Sequence, residues 1–226
     1  MKIVVFTGAG ISCESGIAAF RDSNGLWANY RIEDVCTPEA LALNRTGVID
    51  FYNMRRREAL SKKPNAAHLA LVELEKHYDV EIITQNIDDL HERAGSTSVT
   101  HLHGEIRKLR SSIDELAAVP LEGWEQKYYA RHPDGSLLRP FVVFFGESVP
   151  MLERAIGITR TADLMIVVGT SLQVYPAASL VHYLRPEAPI HIIDPATPDI
   201  RLANLHIIRE PASIGVPRLV EELINR

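Results

Sequence analysis

The chain has 226 residues with a formal net charge of -5, and 46% of its residues are hydrophobic and 23% charged. That apolar content suffices for one sizeable core with a small appended module. The acidic balance argues against a general nucleic-acid-binding surface, and no apolar segment approaches the length of a membrane span. A core strand is predicted from the first residues of the sequence. We therefore expect a cytoplasmic protein with neither nucleic acid nor membrane as a partner.

Apolar runs rich in β-branched residues alternate with helical patterns along the chain. Strands are predicted at Ile3–Thr7, Val80–Thr84, Phe141–Phe145, Leu164–Gly169, Ile190–Asp194 and Leu205–Ile208. Helices are predicted at Ala66–His77, Met151–Thr161, Ala177–Leu184 and Ser213–Asn225. This alternation predicts an α/β fold with a doubly wound, Rossmann-like parallel sheet.

The first predicted strand ends in a glycine turn of the kind found at nucleotide sites. Gly8 and Gly10 would let the backbone approach a ligand closely, and Ser12 and Ser15 are candidate N-caps of a following helix. A strand, a glycine turn and a helix N-terminus with free N–H groups is how a Rossmann-type fold holds a pyrophosphate. Cys13 interrupts the Gly-x-Gly-x-x-Gly fingerprint, so the glycines alone fit a structural turn and a nucleotide site equally well.

Two segments break the alternation and are predicted to be insertions. Residues 23–64 contain a helix start at Thr37-Pro38 and a helical run through residues 51–55, whereas residues 107–139 are polar and rich in turn residues. We therefore predict a single domain, residues 1–226, with a Rossmann core made of residues 1–22, 65–106 and 140–226 and a small lobe made of the two insertions.

Polar residues follow the second predicted strand, and a histidine pair follows them. Gln85-Asn86-Ile87-Asp88 stands at the carboxyl end of a strand, where open α/β sheets bind ligands. In His101-Leu102-His103-Gly104, an imidazole that titrates near neutrality suits a general base, although a lone histidine is more often a satisfied polar residue. No cysteine or third histidine stands at metal-site spacing, which disfavours a zinc site here.

Five segments in chain order together resemble the sirtuins, the NAD-dependent protein-lysine deacylases. They are Gly8-Ala9-Gly10-Ile11-Ser12 with Ser15-Gly16-Ile17 and Phe20-Arg21, Gln85-Asn86-Ile87-Asp88 with Leu90-His91, Leu102-His103-Gly104, the run from Pro140 to Glu147, and Val167 to Leu172 with Val174 to Ala178. The resemblance covers essentially the whole chain. It implies that the two insertions are the sirtuin helical and zinc-binding modules.

The resemblance also implies NAD as cosubstrate and acyl-lysine proteins as substrates, with free lysine, nicotinamide and O-acyl-ADP-ribose as products. His103 matches the family's base, which takes a proton from a ribose hydroxyl, whereas His91 and His101 are left as structural or supporting residues. The positions matching NAD contacts are Gly8, Ala9, Gly10, Ile11, Ser12, Phe20, Arg21, Gln85, Asn86, Asp88, Gly169, Thr170, Ser171, Asp194 and Ala212. Those matching peptide contacts are Val143, Phe145, Gly146 and Val174. Asp194 replaces the usual asparagine, but a carboxylate can accept from ribose hydroxyls.

Only two cysteines are present, Cys13 and Cys36, and each is predicted to be a small buried residue. Residues 107–139 contain none, and residues 109–114 stand where the family's first zinc-binding cysteine pair is expected. We therefore expect no zinc, and a module held by packing of its aromatic residues, which are Trp124, Tyr128 and Tyr129.

Tyr52 and Arg55 lie three residues apart, on one face of a predicted helix. Without context such a pair is usually a surface feature. The spacing resembles the Tyr-x-x-Arg pair of the sirtuins that remove succinyl and malonyl groups, and a guanidinium binds a carboxylate bidentately. Two other hypotheses stay open: a protein mono-ADP-ribosyltransferase, and a non-catalytic sensor of NAD or acyl peptides. The oligomeric state is left open.

Overall fold

The computed structural model describes residues 1–18, 30–196, 200, 202 and 204–225. Phe20 and Arg21, which were expected to contact NAD, lie outside the described residues. Within the described part of the chain, no helix combines the length and the hydropathy that crossing a bilayer requires.

Six of the nine strands in the described part of the chain form one parallel sheet, and the other three form a second, antiparallel sheet. The six are β1 (Lys2–Thr7), β2 (Asp79–Thr84), β3 (Val99–His101), β7 (Leu164–Val168), β8 (Ile190–Ile193) and β9 (Leu205–Ile208), in the spatial order β3-β2-β1-β7-β8-β9. Every adjacent pair is parallel. The chain builds outward from β1 to β3 and then crosses to β7, so a topological switch point lies between β1 and β7. This confirms the predicted doubly wound α/β fold.

Helices cover both faces of the main sheet because successive β1 side chains point to opposite faces. Ile3 and Val5 pack in one cluster with apolar residues of the helices Ala66–Glu75 and Ala212–Ile224, and Val4 and Phe6 pack in another with those of the helix Leu152–Arg160 and a 3-10 helix. The helices are α1 (Gly10–Cys13), α2 (Ile32–Val35), α3 (Pro38–Leu43), α4 (Arg45–Ser61), α5 (Ala66–Glu75), α6 (Leu90–Ala94), α7 (Leu152–Arg160), the 3-10 helix Ala177–Tyr183, and α8 (Ala212–Ile224).

The second sheet is antiparallel and contains β5 (Ala118–Pro120), β4 (Gly104–Ser111) and β6 (Leu138–Val142), in that order. The strand predicted at Phe141–Phe145 is therefore wrong in its bounds, and it pairs with β4 rather than joining the parallel sheet. It ends early because residues 144–147 form a turn in which the Glu147 N–H donates to the Phe144 carbonyl at 3.0 Å, with Gly146 at φ +88°. An apolar run does not reveal which sheet it will join.

A buried arginine, rather than aromatic packing, ties the second insertion to α4. Trp124, Tyr128 and Tyr129, which were expected to hold the module by packing, are 39%, 39% and 71% exposed, so little of that packing is buried. Arg56 is fully buried, and its Nε donates to the Ile106 carbonyl at 2.7 Å while its Nη1 donates to the Trp124 carbonyl at 2.8 Å and to Asn53 Oδ1 at 2.7 Å. Burial lowers the pKa of Arg56 to about 10, so the guanidinium stays charged at neutral pH.

Hydroxyl groups occupy the position where the sequence comparison expected a first pair of zinc ligands. Ser111 Oγ donates to Asp134 Oδ2 at 2.6 Å and lies 2.9 Å from Ser136 Oγ, and it accepts the N–H groups of Ile113 and Asp114 at 3.1 Å each. Hydrogen bonds from Ser111 and Ser136 hold the pKa of the Asp134 carboxyl well below its usual value. Hydroxyl and backbone N–H groups around one carboxylate, which His132 Nδ1 also contacts at 3.0 Å, therefore close the turn after β4.

Candidate active site

Three loops meet at the carboxyl edge of the central strands, on either side of the switch point. They follow β1 (residues 8–12), β2 (residues 85–89) and β7 (residues 169–172), and β1 lies between the other two strands. Dinucleotides bind in this crevice in open α/β sheets. The fold therefore gathers residues from three distant parts of the sequence at one edge.

The backbones of the first and third loops touch each other, and this contact requires glycine in both loops. The Gly8 N–H donates to the Val168 carbonyl at 3.0 Å, and the Gly10 N–H donates to the Gly169 carbonyl at 2.8 Å. A Cβ on Gly10 would lie 2.5 Å from Gly169 Cα, which no side chain tolerates, and Gly169 has φ +61°. The expectation that these amides are free to face an anion is therefore wrong for Gly8 and Gly10.

The first helix begins differently from the prediction. Helix α1 starts at Gly10 after Ala9 and has no side-chain cap, so Ser12 and Ser15 are not its N-caps. Ser12 is buried within the helix and donates from Oγ to Asp88 Oδ2 at 3.1 Å. Cys13 is exposed, contrary to the expectation of a buried residue, whereas Cys36 is buried as expected.

Carboxamide and hydroxyl groups join the three loops. Asn86 Nδ2 donates to the Gly8 carbonyl at 3.0 Å and to Ser12 Oγ at 3.3 Å, and Gln85 Nε2 donates to Thr170 Oγ1 at 3.0 Å. Burial raises the pKa of Asp88, and hydrogen bonds from the Leu90 N–H and Ser12 oppose that shift. The predicted residues Ser12, Gln85, Asn86, Asp88 and Thr170 thus form one connected set. These groups can donate to and accept from sugar hydroxyls and a carboxamide, which fits a nicotinamide dinucleotide.

His103 stands beside this set with a defined tautomer. Its Nδ1 lies 3.0 Å from the Gln85 carbonyl, which can only accept, so Nδ1 carries the hydrogen and Nε2 has a free lone pair. Burial lowers the pKa of His103, and the bond to Gln85 partly offsets this, so the imidazole is neutral at pH 7. A neutral imidazole of a half-buried histidine, with an unprotonated Nε2, is able to accept a proton.

The remaining predicted nucleotide contacts lie along the same edge. Ser171 is exposed in the third loop, Asp194 follows β8, and Ala212 is the buried first residue of α8. Asp194 Oδ1 accepts the Ala196 N–H at 2.8 Å, and burial raises the pKa of this carboxyl.

The peptide contacts expected from the sequence lie on two irregular segments. Three backbone N–H groups of the first segment are bonded inside the protein: Val143 to the His103 carbonyl at 2.9 Å, Phe144 to Glu147 Oε2 at 2.7 Å, and Phe145 to the Cys36 carbonyl at 2.9 Å. The Val143 bond places this segment directly beside His103. Val174 precedes the 3-10 helix, in a loop where Leu172 has φ +53°.

Tyr52 and Arg55 are buried on α4, not exposed on its surface. The Tyr52 ring stacks on Phe144 with centroids 5.8 Å apart, and its hydroxyl lies 3.2 Å from Cys36 Sγ. Arg55 Nη1 donates to Glu58 Oε2 at 3.0 Å. The stacking on Phe144 brings Tyr52 next to the peptide segment.

Several polar residues at the site gave no signal in the sequence. Thr7 Oγ1 donates to Thr84 Oγ1 at 2.8 Å and lies 3.0 Å from His91 Nε2. Burial lowers the pKa of His91 well below its usual value and lowers the pKa of His68 to about 4, so both packed imidazoles are neutral. Threonine at the last position of two adjacent parallel strands is the one pattern that could have indicated this contact. Within residues 1–18, 30–196 and 204–225, no group of three or more His, Cys, Asp or Glu side chains could hold a metal ion.

Comparison with known proteins agrees with this geometry. The model of the Sir2 family matches residues 8–176. An NAD-dependent protein deacylase of Aggregatibacter actinomycetemcomitans is 58% identical over 192 residues, which are 85% of this chain and 92% of that protein. A solved complex of a Sir2 homologue with NAD has a TM-score of 0.88 at 39% identity, covering 99% of this chain and 90% of that one. A Sir2 variant solved with a deacetylated p53 peptide and 3'-O-acetyl-ADP-ribose has a TM-score of 0.81 at 34% identity, covering 97% and 92%.

The family match covers three quarters of the chain in one continuous span, and the similarity to solved structures extends over nearly all of it. The chain therefore belongs to the Sir2 family of NAD-dependent protein deacylases, the sirtuins.

Proposed function

We propose that this protein removes acetyl, succinyl and malonyl groups from lysine side chains of proteins and releases nicotinamide and O-acyl-ADP-ribose. The observation that carries this proposal is the bond between His103 Nδ1 and the Gln85 carbonyl, 3.0 Å long. It leaves Nε2 as a proton acceptor at the edge of the sheet where dinucleotides bind.

In this proposal the three connected loops hold NAD. Asn86, Asp88 and Ser12 face the nicotinamide and its ribose, and the loop of Gly169, Thr170 and Ser171 lines the adenosine side, where Asp194 accepts from ribose hydroxyls. When bound, NAD supplies a ribose carbon from which nicotinamide can leave. Because Asn86 and Asp88 are already fixed by bonds to the first loop, their polar groups are oriented before NAD arrives.

His103 takes a proton from a ribose hydroxyl through Nε2. Its lowered pKa keeps the imidazole neutral at the pH of turnover, and the Gln85 carbonyl stabilises the positive charge that the ring acquires when it is protonated. The acyl peptide lies beside His103 between the segment of Val143, Phe145 and Gly146 and the segment of Val174. Since the N–H groups of Val143 and Phe145 are already bonded, other backbone groups of these segments pair with the peptide.

Arg55 and Tyr52 give the acyl pocket its preference for acidic groups, which places the protein in the branch of sirtuins that remove succinyl and malonyl groups. Burial of both side chains supports this assignment, because a guanidinium that is shielded from water binds a carboxylate more strongly than an exposed one does. We also propose that no zinc is bound in the second insertion. The hydroxyl cluster around Ser111 and Asp134 supports this, since it closes the turn without a metal.

A panel of acetyl, succinyl and malonyl peptides assayed with NAD tests the proposal. We expect Arg55→Met to lower kcat/KM for the succinyl and malonyl peptides by about 10–100-fold, the value of a charge-assisted hydrogen-bonded pair, and to change the acetyl value only a few-fold. The readouts are release of nicotinamide and mass spectrometry of the peptide.

Arg57→Met is the matched control, because Arg57 lies on the same helix but is exposed and stacks on Trp124 at 5.6 Å. This control should keep the preference of the unmodified protein. If Arg55→Met also keeps the preference for succinyl and malonyl peptides, Arg55 does not recognise the acyl group. Addition of ADP-ribose to the peptide without acyl loss would favour mono-ADP-ribosyl transfer, and binding without turnover would favour a sensor.

A further inference from the structure

Two histidines hold consecutive carbonyl groups of the loop after β2. His101 Nδ1 lies 2.8 Å from the Asn86 carbonyl, and His103 Nδ1 lies 3.0 Å from the Gln85 carbonyl. His101 is the last residue of β3, and His103 follows in the bend after that strand. The Leu102 N–H between them donates to the Thr84 carbonyl at 2.9 Å and holds this segment against β2. The position of His103 is therefore coupled to that of His101, because the two carbonyls that they contact belong to consecutive residues of one loop.

His101 is held at both ring nitrogens. Its Nε2 lies 2.7 Å from Glu92 Oε1 on α6, and the ring is buried, with 9% of the residue exposed. A backbone carbonyl and a carboxylate can only accept, so both nitrogens of His101 carry a hydrogen and the ring is an imidazolium. Burial alone would lower the pKa of His101, but the hydrogen bond and charge of Glu92, with smaller contributions from the Asn86 carbonyl and the charge of Glu105, raise it overall.

The bond from His101 fixes more than one carbonyl. Asn86, whose carbonyl it holds, also contacts the first loop through Nδ2, which donates to the Gly8 carbonyl at 3.0 Å and to Ser12 Oγ at 3.3 Å. The charge of His101 opposes the rise in the pKa of Asp88 and contributes to the low pKa of His91. His101 is thus placed to orient the nicotinamide side and the base together.

We propose that His101, paired with Glu92, is a positioning residue that holds the Gln85-Asn86 peptide and thereby fixes both His103 and Asn86. This inference rests on the proposed function for its kinetic consequence but not for its structural one. A misplacement of the base by about 1 Å costs on the order of 100-fold in rate, so a loss of the Asn86 bond should be visible in kcat.

Two amide variants separate the two bonds of His101. The Asn amide of His101→Asn reaches the place of Nδ1 and can still donate to the Asn86 carbonyl, whereas the longer His101→Gln reaches the place of Nε2 and keeps only the Glu92 bond. We expect His101→Asn to keep kcat within about threefold of the unmodified protein and His101→Gln to lose about 10–100-fold in kcat, with a smaller change in KM for the peptide. His77→Gln, which makes the same substitution in an exposed histidine–glutamate pair just after α5, is the control and should change neither value.

Nitrogen NMR of the histidine rings gives a readout that does not need turnover. We expect both ring nitrogens of His101 to be protonated at neutral pH, and the Nδ1–H signal of His103 to persist in His101→Asn and to broaden or vanish in His101→Gln. Equal kcat in the two variants, a neutral His101 ring, or an unchanged His103 signal in His101→Gln would overturn the proposal. If the unmodified protein shows no NAD-dependent turnover, the proposed function fails, whereas the NMR result still decides the role of His101.

Discussion

His103→Asn should lower kcat for deacylation by about 10²–10⁴-fold and leave the folded structure intact. The asparagine amide can take the place of Nδ1 and donate to the Gln85 carbonyl, which His103 contacts at 3.0 Å, but it has no basic atom at the place of Nε2. The variant therefore removes the proton acceptor and keeps the bond that orients it. Steady-state release of nicotinamide from NAD in the presence of an acetyl peptide, with thermal unfolding measured in parallel, gives the result.

NAD binding separates this outcome from a general disruption of the site. The contacts assigned to the nicotinamide side of NAD come from Asn86, Asp88 and Ser12, which are bonded to one another or to the Gly8 carbonyl and not to His103. His103→Asn should therefore bind NAD within a few-fold of the unmodified protein. If it turns over peptide at a normal rate, His103 is not the base, and if it unfolds, its bond to Gln85 is structural.

Arg56→Met should lower the free energy of unfolding by about 3–5 kcal/mol. The methionine fills much of the space but removes the donor to the carbonyls of Ile106 and Trp124, and it leaves the amide oxygen of Asn53 with the Gln126 N–H alone. The Trp124 carbonyl lies in the second insertion and the Ile106 carbonyl lies on β4 directly before it, so the attachment of the small antiparallel sheet to α4 is weakened. A loss of this size is a large part of the stability of a typical domain. Urea unfolding followed by circular dichroism measures it.

Arg57→Met again serves as the comparison, because Arg57 is exposed and its stacking on Trp124 should contribute less than about 1 kcal/mol. If Arg56→Met and Arg57→Met unfold at the same urea concentration, the buried guanidinium does not hold the module. The aromatic residues would then have to be reconsidered despite their exposure.

The main sheet and the gathering of the site could be predicted from the sequence because both depend on local patterns. Strands β1, β2 and β7 to β9 are mostly apolar and rich in β-branched residues, and the polar segments after β1, β2 and β7 must meet once those strands are parallel neighbours. The short β3 could not be predicted in this way. It has three residues, among them Thr100 and His101, and its strand character comes from pairing with β2 rather than from its composition.

Other features depend on contacts between distant residues, which a single sequence does not display. The reason for Gly10 is its contact with Gly169, and that contact exists only after two strands are brought side by side. In the sequence, Arg56 is the middle one of three consecutive arginines on a predicted helix, and nothing indicates that it is buried. In the structure it is buried because it donates to carbonyls of two other segments. The aromatic residues of the segment 107–139 are the opposite case. Their side chains suggest buried packing in the sequence, but the module is too small to cover them.

The most direct test of the central claim is a product balance from one reaction of the protein with NAD and an acyl-lysine peptide, read by mass spectrometry. We predict one nicotinamide, one free lysine side chain and one O-acyl-ADP-ribose for each NAD consumed. Consumption of the peptide's acyl group without release of nicotinamide, or nicotinamide release with ADP-ribose attached to a peptide that keeps its acyl group, would contradict it.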